Sequence, residues 1–138
     1  MLAMKIKKVA YISSIAALGR NSTTETVDEN CYFIESKKES NYAISKYYSE
    51  QEVWRASAEG MNVVILNPSV ILGPGDWGKG SSQIFETIYN GLKFYTDGST
   101  GYVDVIDVAK CTIKLLNSNI KNERFIINGE NLTYRSAC

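Results

Sequence analysis

The hydrophobic and polar positions of the chain fall into blocks that read as strand, helix, strand. Lys8-Val9-Ala10-Tyr11-Ile12-Ser13 is β-rich and mostly apolar, and predicts a buried strand of a parallel sheet. Ser13 and Ser14 stand at its C-terminal end, where α/β sheets place ligand-binding groups. As plain structure, two serines there satisfy backbone groups while the chain turns. From 21 to 38, Thr, Asp, Glu and Ser cluster without a period, so this stretch reads as a loop, a frequent place for substrate contacts. Ser40 or Asn41 caps a helix that runs to about Glu59. Ala43, Tyr47, Gln51, Trp54 and Ala58 trace one side of it, and Gly60 is its stop. Met61-Asn62-Val63-Val64-Ile65-Leu66-Asn67 is a second, strongly apolar strand, and the whole unit predicts a right-handed parallel crossover.

The second half is less regular. Pro68 to Gly80 contains Gly73-Pro74-Gly75-Asp76-Trp77-Gly78, which fits G-x-G-x-x-G, and Gly73 to Lys79 fits the start of a phosphate loop. Gly80 stands where such a loop needs a Ser or Thr for Mg²⁺, and Pro74 and Trp77 occupy what should be a tight turn. The Pro-Gly pair reads more simply as an irregular loop. Ser81 or Ser82 caps a helix through Asn90 with Ile84, Phe85 and Ile88 on its apolar side, and Lys93 to Gly101 is turn-rich. Asp104 is an N-cap with Asp107 in an acidic first turn. Val105, Val108, Ala109, Thr112, Ile113 and Leu116 follow as a helical stripe. Arg124 to Asn128 is a strand that Gly129 turns, and Thr133 caps a further helix. No internal repeat is present.

Composition narrows the function. Lys+Arg and Asp+Glu are 15 each and form no basic block, which argues against nucleic acid as a partner. The absence of His removes Ser-His-Asp and Cys-His catalysis and every His-ligated metal site; no metal site is expected. Cys31, Cys111 and Cys138 are scattered and lack ligand spacing, so they read as free thiols in a reducing, cytoplasmic setting. Lys5 to Lys8 followed by Val9 to Gly19 resembles a short signal peptide, but Tyr11, Ser13 and Ser14 interrupt its apolar run. No stretch is long enough to span a membrane.

The candidate chemistry is Tyr42-x-x-x-Lys46. Residues four apart share a helix face. An ammonium beside a phenol favours the phenolate, and a phenol so placed can pass a proton to or from an alcohol or carbonyl oxygen. With nine tyrosines in the chain, about one such pair arises by chance. A second copy, Tyr89-x-x-x-Lys93, lacks comparable surroundings and reads as a decoy.

Four blocks together are more specific: Val9 to Gly19, Tyr42-x-x-x-Lys46, Asn67 to Gly75, and Tyr102 to Ala109. In this order they resemble the extended short-chain dehydrogenase/reductases, most closely the NAD-dependent epimerase/dehydratase group and its dihydroflavonol-reductase-like members. The resemblance covers nearly the whole chain and implies an α/β fold. The expected architecture is the C-terminal part of a Rossmann-like doubly wound parallel sheet at 1–72, with a truncated substrate-binding lobe at 73–138. By position, Ser14 rather than Ser13 would bind the reacting oxygen, and Tyr42 would be the general acid/base. Lys46 would tune it and bind the nicotinamide ribose of NAD or NADP, and Tyr42 would belong to the cofactor-binding set with it. Pro68, Ser69 and Val70 would border the nicotinamide ring, and a small molecule would be the substrate.

The family opens with a glycine-rich βαβ half that holds the dinucleotide pyrophosphate, and no such half is found in this sequence. The resemblance therefore implies a fragment of an NAD(P)-dependent oxidoreductase or epimerase/dehydratase, inactive by itself. It would leave a sheet edge open for a homo-oligomer or another partner. A non-catalytic truncated paralogue or interaction module is the alternative.

Overall fold

The computed structural model describes residues 6–19, 26–34, 36, 39–74, 83–90 and 98–137. Its centre is strand β2 (Val63–Pro68), all six residues of which are buried. Strand β1 (Val9–Ile12) lies on one side and β5 (Glu123–Ile127) on the other, both parallel to β2. The register pairs Val9 with Val63 and Ile12 with Leu66, and the ladder continues where the Ser13 N–H donates to the Leu66 carbonyl at 2.7 Å. Successive side chains of a strand point to opposite faces, so complete burial of β2 means that both faces are covered. Helices α1 (Asn41–Ala58) and α3 (Val105–Leu116) both pack on it. That is why its sequence is an unbroken apolar run from Val63 to Leu66.

Helix α1 begins and ends on its own sequence signals. The Ser40 hydroxyl accepts from the Ala43 N–H at 3.1 Å. At the other end Gly60 has φ +102°, and the N–H groups of Gly60 and Met61 donate to the Ser57 and Ala56 carbonyls. This paired closure favours glycine because its positive φ carries no Cβ penalty. The inward side differs from the expected stripe. Ala43 is buried and Tyr47 and Trp54 are half-buried, but Gln51 and Ala58 are exposed, and Glu50 is buried. The sheet covers the middle of the helix along a row that includes Glu50, for the polar reason given below.

β2 continues through Ser69 into β3 (Val70–Leu72), which leaves the first sheet and pairs in parallel with β4 (Ser99–Asp104). β6 (Glu130–Thr133) runs antiparallel to β4. Pro68 ends β2, where a missing N–H is tolerated, and the Ser69 N–H donates to the Ile127 carbonyl at 3.0 Å. On β4, a Cβ on Gly101 would collide with the Asn128 amide and meet the Ser69 Cβ at 3.0 Å. Residues Ser99 to Gly101 are thus strand, not turn, because pairing with Asn131 to Thr133 overrides their local preference.

Helix α2 (Gln83–Tyr89) comes after the segment that carries the near-miss phosphate patterns. Residues 75–82 and 91–97, and the side chains of Ile84, Phe85 and Ile88, lie outside what the structure describes. Asp104 caps α3 by accepting from the Ile106 N–H at 2.6 Å, and Asp107 stands in the first turn. The stripe expected on α3 divides: Val108 is buried and Thr112 half-buried, whereas Val105, Ala109, Ile113 and Leu116 face outward with Ile106. α3 therefore has two apolar sides and only one lies against the sheet. The Thr133 hydroxyl accepts from the Ser136 N–H at 3.1 Å and starts the short helix α4 (Tyr134–Ala137).

The two edges of the parallel sheet are treated differently. At β5 the Ile126 N–H donates to Glu29 Oε1 at 2.9 Å. At β1 no strand lies beyond the outer edge among the described residues. The segment carrying Glu29 also packs on Gly19, where a Cβ would run into the Tyr32 carbonyl. Cys31 and Cys111 are free thiols; Cys138 lies outside the described residues. Among the described residues no helix is long and apolar enough to cross a membrane, and no cluster of His, Cys, Asp and Glu could hold a metal ion.

Candidate active site at the strand ends

In a crossover of this kind the helix runs back against its strands, so the start of α1 lies near their C-terminal ends. Tyr42 is in the first turn of α1 and is 56% exposed. Lys46, one turn on, is half-buried, with its Nζ 5.9 Å from the centroid of the Tyr42 ring. The spacing thus does what it promised: phenol and ammonium share one face. The decoy pair divides, since Tyr89 closes α2 at 83% exposure while Lys93 lies outside the described residues.

Ser14 is half-buried just beyond β1. Its Oγ accepts from the Ala16 N–H at 3.1 Å and caps a 3-10 turn, Ile15–Ala17, against which α1 packs. This is the bland structural role foreseen for a serine here, yet it uses only an acceptor position and leaves the O–H as a donor. Extending the β1–β2 register by two places sets Ser14 level with Pro68. Ser69 and Val70 follow at the switch between the sheets, Ser69 buried and Val70 half-buried. Ser13 faces the other way. It is buried, and its hydroxyl donates to Glu50 Oε2 at 2.7 Å.

Glu50 is the residue that sequence reasoning missed. It is 1% exposed, and both carboxylate oxygens are engaged. Oε2 accepts from Ser13 and from Asn67 Nδ2 at 2.8 Å; Oε1 accepts from Trp54 Nε1 at 3.2 Å and from Arg124 Nη1 at 3.3 Å. A carboxylate carried this deep needs such partners, because an unpaired buried charge is very costly. Asn67, itself wholly buried, also donates to the Ser14 carbonyl at 2.9 Å. Both of its neighbours are acceptors, which fixes the orientation of its amide. The sequence did hold a signal. Tyr42, Lys46, Glu50 and Trp54 recur at every fourth position, a row that winds by about 40° per step around the helix. It passes from exposed phenol to buried carboxylate.

A nicotinamide cofactor can be weighed against these groups. An accessible phenol, an adjacent ammonium and a serine hydroxyl at the strand ends suit a ribose and a reacting carbonyl or alcohol oxygen. The pyrophosphate end has no counterpart among the described residues. β1 leads into Ser13-Ser14 and a 3-10 turn, not into a glycine-rich turn and helix N-terminus. The residues present fit the nicotinamide half of the cofactor.

Comparison with known proteins agrees with this architecture. Residues 1–128 match the model of the NAD dependent epimerase/dehydratase family. The chain is 32% identical over 134 residues to cinnamoyl-CoA reductase 2 of Arabidopsis thaliana, covering 89% of this chain and 40% of the reductase. It is 30% identical to cinnamoyl-CoA reductase 1 of Petunia hybrida, covering 88% of this chain and 39% of that protein. In fold it is similar to a nucleoside-diphosphate-sugar epimerase from Pseudomonas aeruginosa, with a TM-score of 0.80 at 23% identity, over 91% of this chain and 42% of that one. The chain therefore spans about 40% of the length of the relatives it matches. Its parallel sheet matches part of a Rossmann-like epimerase fold. On the extent of the family match and on these identities, the chain belongs to the NAD dependent epimerase/dehydratase family.

Proposed function

We propose that this chain carries the proton-transfer part of an NAD(P)-dependent oxidoreductase or epimerase/dehydratase site, acting at a carbon that bears a hydroxyl or carbonyl. The observation that carries the reading is the Tyr42–Lys46 face, with Lys46 Nζ 5.9 Å from the phenol ring, on a helix packed beside the Ser14 turn. Tyr42 gives or takes the proton at the substrate oxygen. Ser14 donates a hydrogen bond to that oxygen, and Lys46 places positive charge beside the phenol and holds the nicotinamide ribose. Pro68, Ser69 and Val70 border the ring. When bound, NAD or NADP supplies or accepts the hydride. Similarity to two cinnamoyl-CoA reductases favours reduction of a carbonyl over epimerisation. The test is loss of NAD(P)H absorbance on addition of a thioester or aldehyde, with the glycine-rich half of the cofactor site supplied and Tyr42→Phe as the paired control. Oxidation that survives loss of the phenol would remove Tyr42 from the reaction.

In this reading the glycine-rich half of the cofactor site is supplied from outside these residues. A further parallel strand, with the helix that accompanies it, covers β1 and the outward stripe of Ile106, Ile113 and Leu116, which are 55%, 60% and 38% exposed. An open strand edge beside an apolar helix face favours association. Sedimentation of the chain by itself is expected to show oligomers or poorly cooperative melting. A monodisperse monomer that melts in one sharp transition would contradict the proposal.

A further inference from the structure

We propose that Glu50 is a positioning residue: its Oε2 clamps the Ser13–Ser14 segment to the same helix that carries Tyr42 and Lys46. The inference rests on the functional reading of Ser14, but its geometry stands independently. Ser13 Oγ donates to Glu50 Oε2 at 2.7 Å from one side of the segment. Asn67 Nδ2 donates to the same oxygen at 2.8 Å, and also to the Ser14 carbonyl at 2.9 Å. The Ser14 carbonyl takes a second bond from the Ala17 N–H at 3.0 Å, so both of its lone pairs are used. One carboxylate oxygen thus fixes the residue before Ser14 directly and Ser14 itself through one amide.

The other oxygen anchors the clamp. Oε1 is held by Trp54 on α1 and by Arg124 on β5, at 3.2 and 3.3 Å. The ends of β1 and β2, the start of β5 and the middle of α1 therefore meet on one carboxylate. Glu50 lies two turns after Tyr42, roughly 12 Å along the helix axis. It touches neither the proposed substrate nor the cofactor. Its role is to set where the Ser14 hydroxyl stands relative to Tyr42 and Lys46. A hydrophobic residue would fill the space without fixing that relation, whereas both carboxylate oxygens are each held by two donors, and among the described residues Asn67 Oδ1 is the buried side-chain atom left without a partner.

Glu50→Gln is the informative change. All four partners of the carboxylate are donors, so an amide of the same shape must turn its NH₂ toward two of them. The readout is amide hydrogen exchange at Ala16, whose N–H donates to Ser14 Oγ, taken as a ratio to exchange at Ile65 in β2. Glu50→Gln is expected to raise that ratio by about tenfold or more, which is the loss of one well-made hydrogen bond. Ser13→Ala, a milder change with the Asn67 bridge intact, raises it less and carries the test if Glu50→Gln does not fold. Trp54→Phe removes a partner of Oε1 alone and leaves the ratio near the wild-type value.

In turnover, Glu50→Gln lowers kcat while the KM for the cofactor holds. An unchanged Ala16 ratio in both Glu50→Gln and Ser13→Ala would overturn the proposal. So would an equal rise in Trp54→Phe, which would mark Glu50 as merely structural. If the wild-type chain takes up no nicotinamide cofactor, the proposed function fails, yet the exchange ratio still decides the role of Glu50.

Discussion

Tyr42→Phe is expected to lower turnover of the site, once completed by its glycine-rich half, by about 10²–10⁴-fold, the usual worth of a positioned general acid or base. The fold should not notice the change. Tyr42 is 56% exposed, and among the described residues its side chain meets Lys46 through the ring face, which phenylalanine keeps. Substitutions at such exposed positions are usually within about 0.5 kcal/mol of neutral. Cofactor affinity should fall less than in Lys46→Ala, because phenylalanine keeps the ring and the ribose contact of Lys46 remains. The measurement is NAD(P)H oxidation at saturating cofactor, alongside a urea unfolding curve for each protein. Equal kcat in the two would mean that another group moves the proton.

The largest effect on stability is expected at Ile65. It is wholly buried in the central strand, between Tyr11 of β1 and Arg124 of β5 in the ladder. Truncating it to alanine removes the buried side chain and leaves a hole that a flanked strand cannot close by moving. Ile65→Ala should therefore cost about 2–5 kcal/mol. A domain of this size has roughly 7–20 kcal/mol in all, and an open sheet edge places this chain toward the low end. Ile34→Ala is the matched control, since Ile34 is 64% exposed and lies outside the α3 stripe. It should shift the urea midpoint little. Equal losses at Ile65 and Ile34 would contradict the placement of the core along β2.

These two residues also mark what could be read from the chain alone. The apolar run that contains Ile65 announces a strand buried on both faces, and the Tyr42–Lys46 spacing announces a shared helix face; both hold because they are local periodicities. The capping residues Ser40, Asp104 and Thr133 were legible for the same reason. Glu50 was not. A glutamate in a polar helix reads as surface, and its burial is set by partners at 13, 67 and 124, far away in sequence. Asn67 gave a partial sign, a lone amide closing an apolar strand. The switch of sheets at Ser69 and the pairing of β4 with β6 were hidden because long-range pairing, not propensity, makes those strands. On α3 the sequence reads as one stripe, and its division, with Val108 buried and Ile113 exposed, was not legible because contact with the sheet sets it.

The most direct test of the proposed site is a titration with NADH and NADPH, followed by nicotinamide fluorescence, of wild type, Lys46→Ala and Tyr42→Phe. Saturable but weak binding of at least one cofactor is expected, with a Kd of about 1 mM, equivalent to about 4 kcal/mol, because only the nicotinamide half finds partners among the described residues. Lys46→Ala should weaken it about tenfold, as expected for a lost charged hydrogen bond, while Tyr42→Phe weakens it less. No saturation at millimolar cofactor, or a Lys46→Ala curve that overlays the wild type, would contradict a nicotinamide site built on Tyr42 and Lys46.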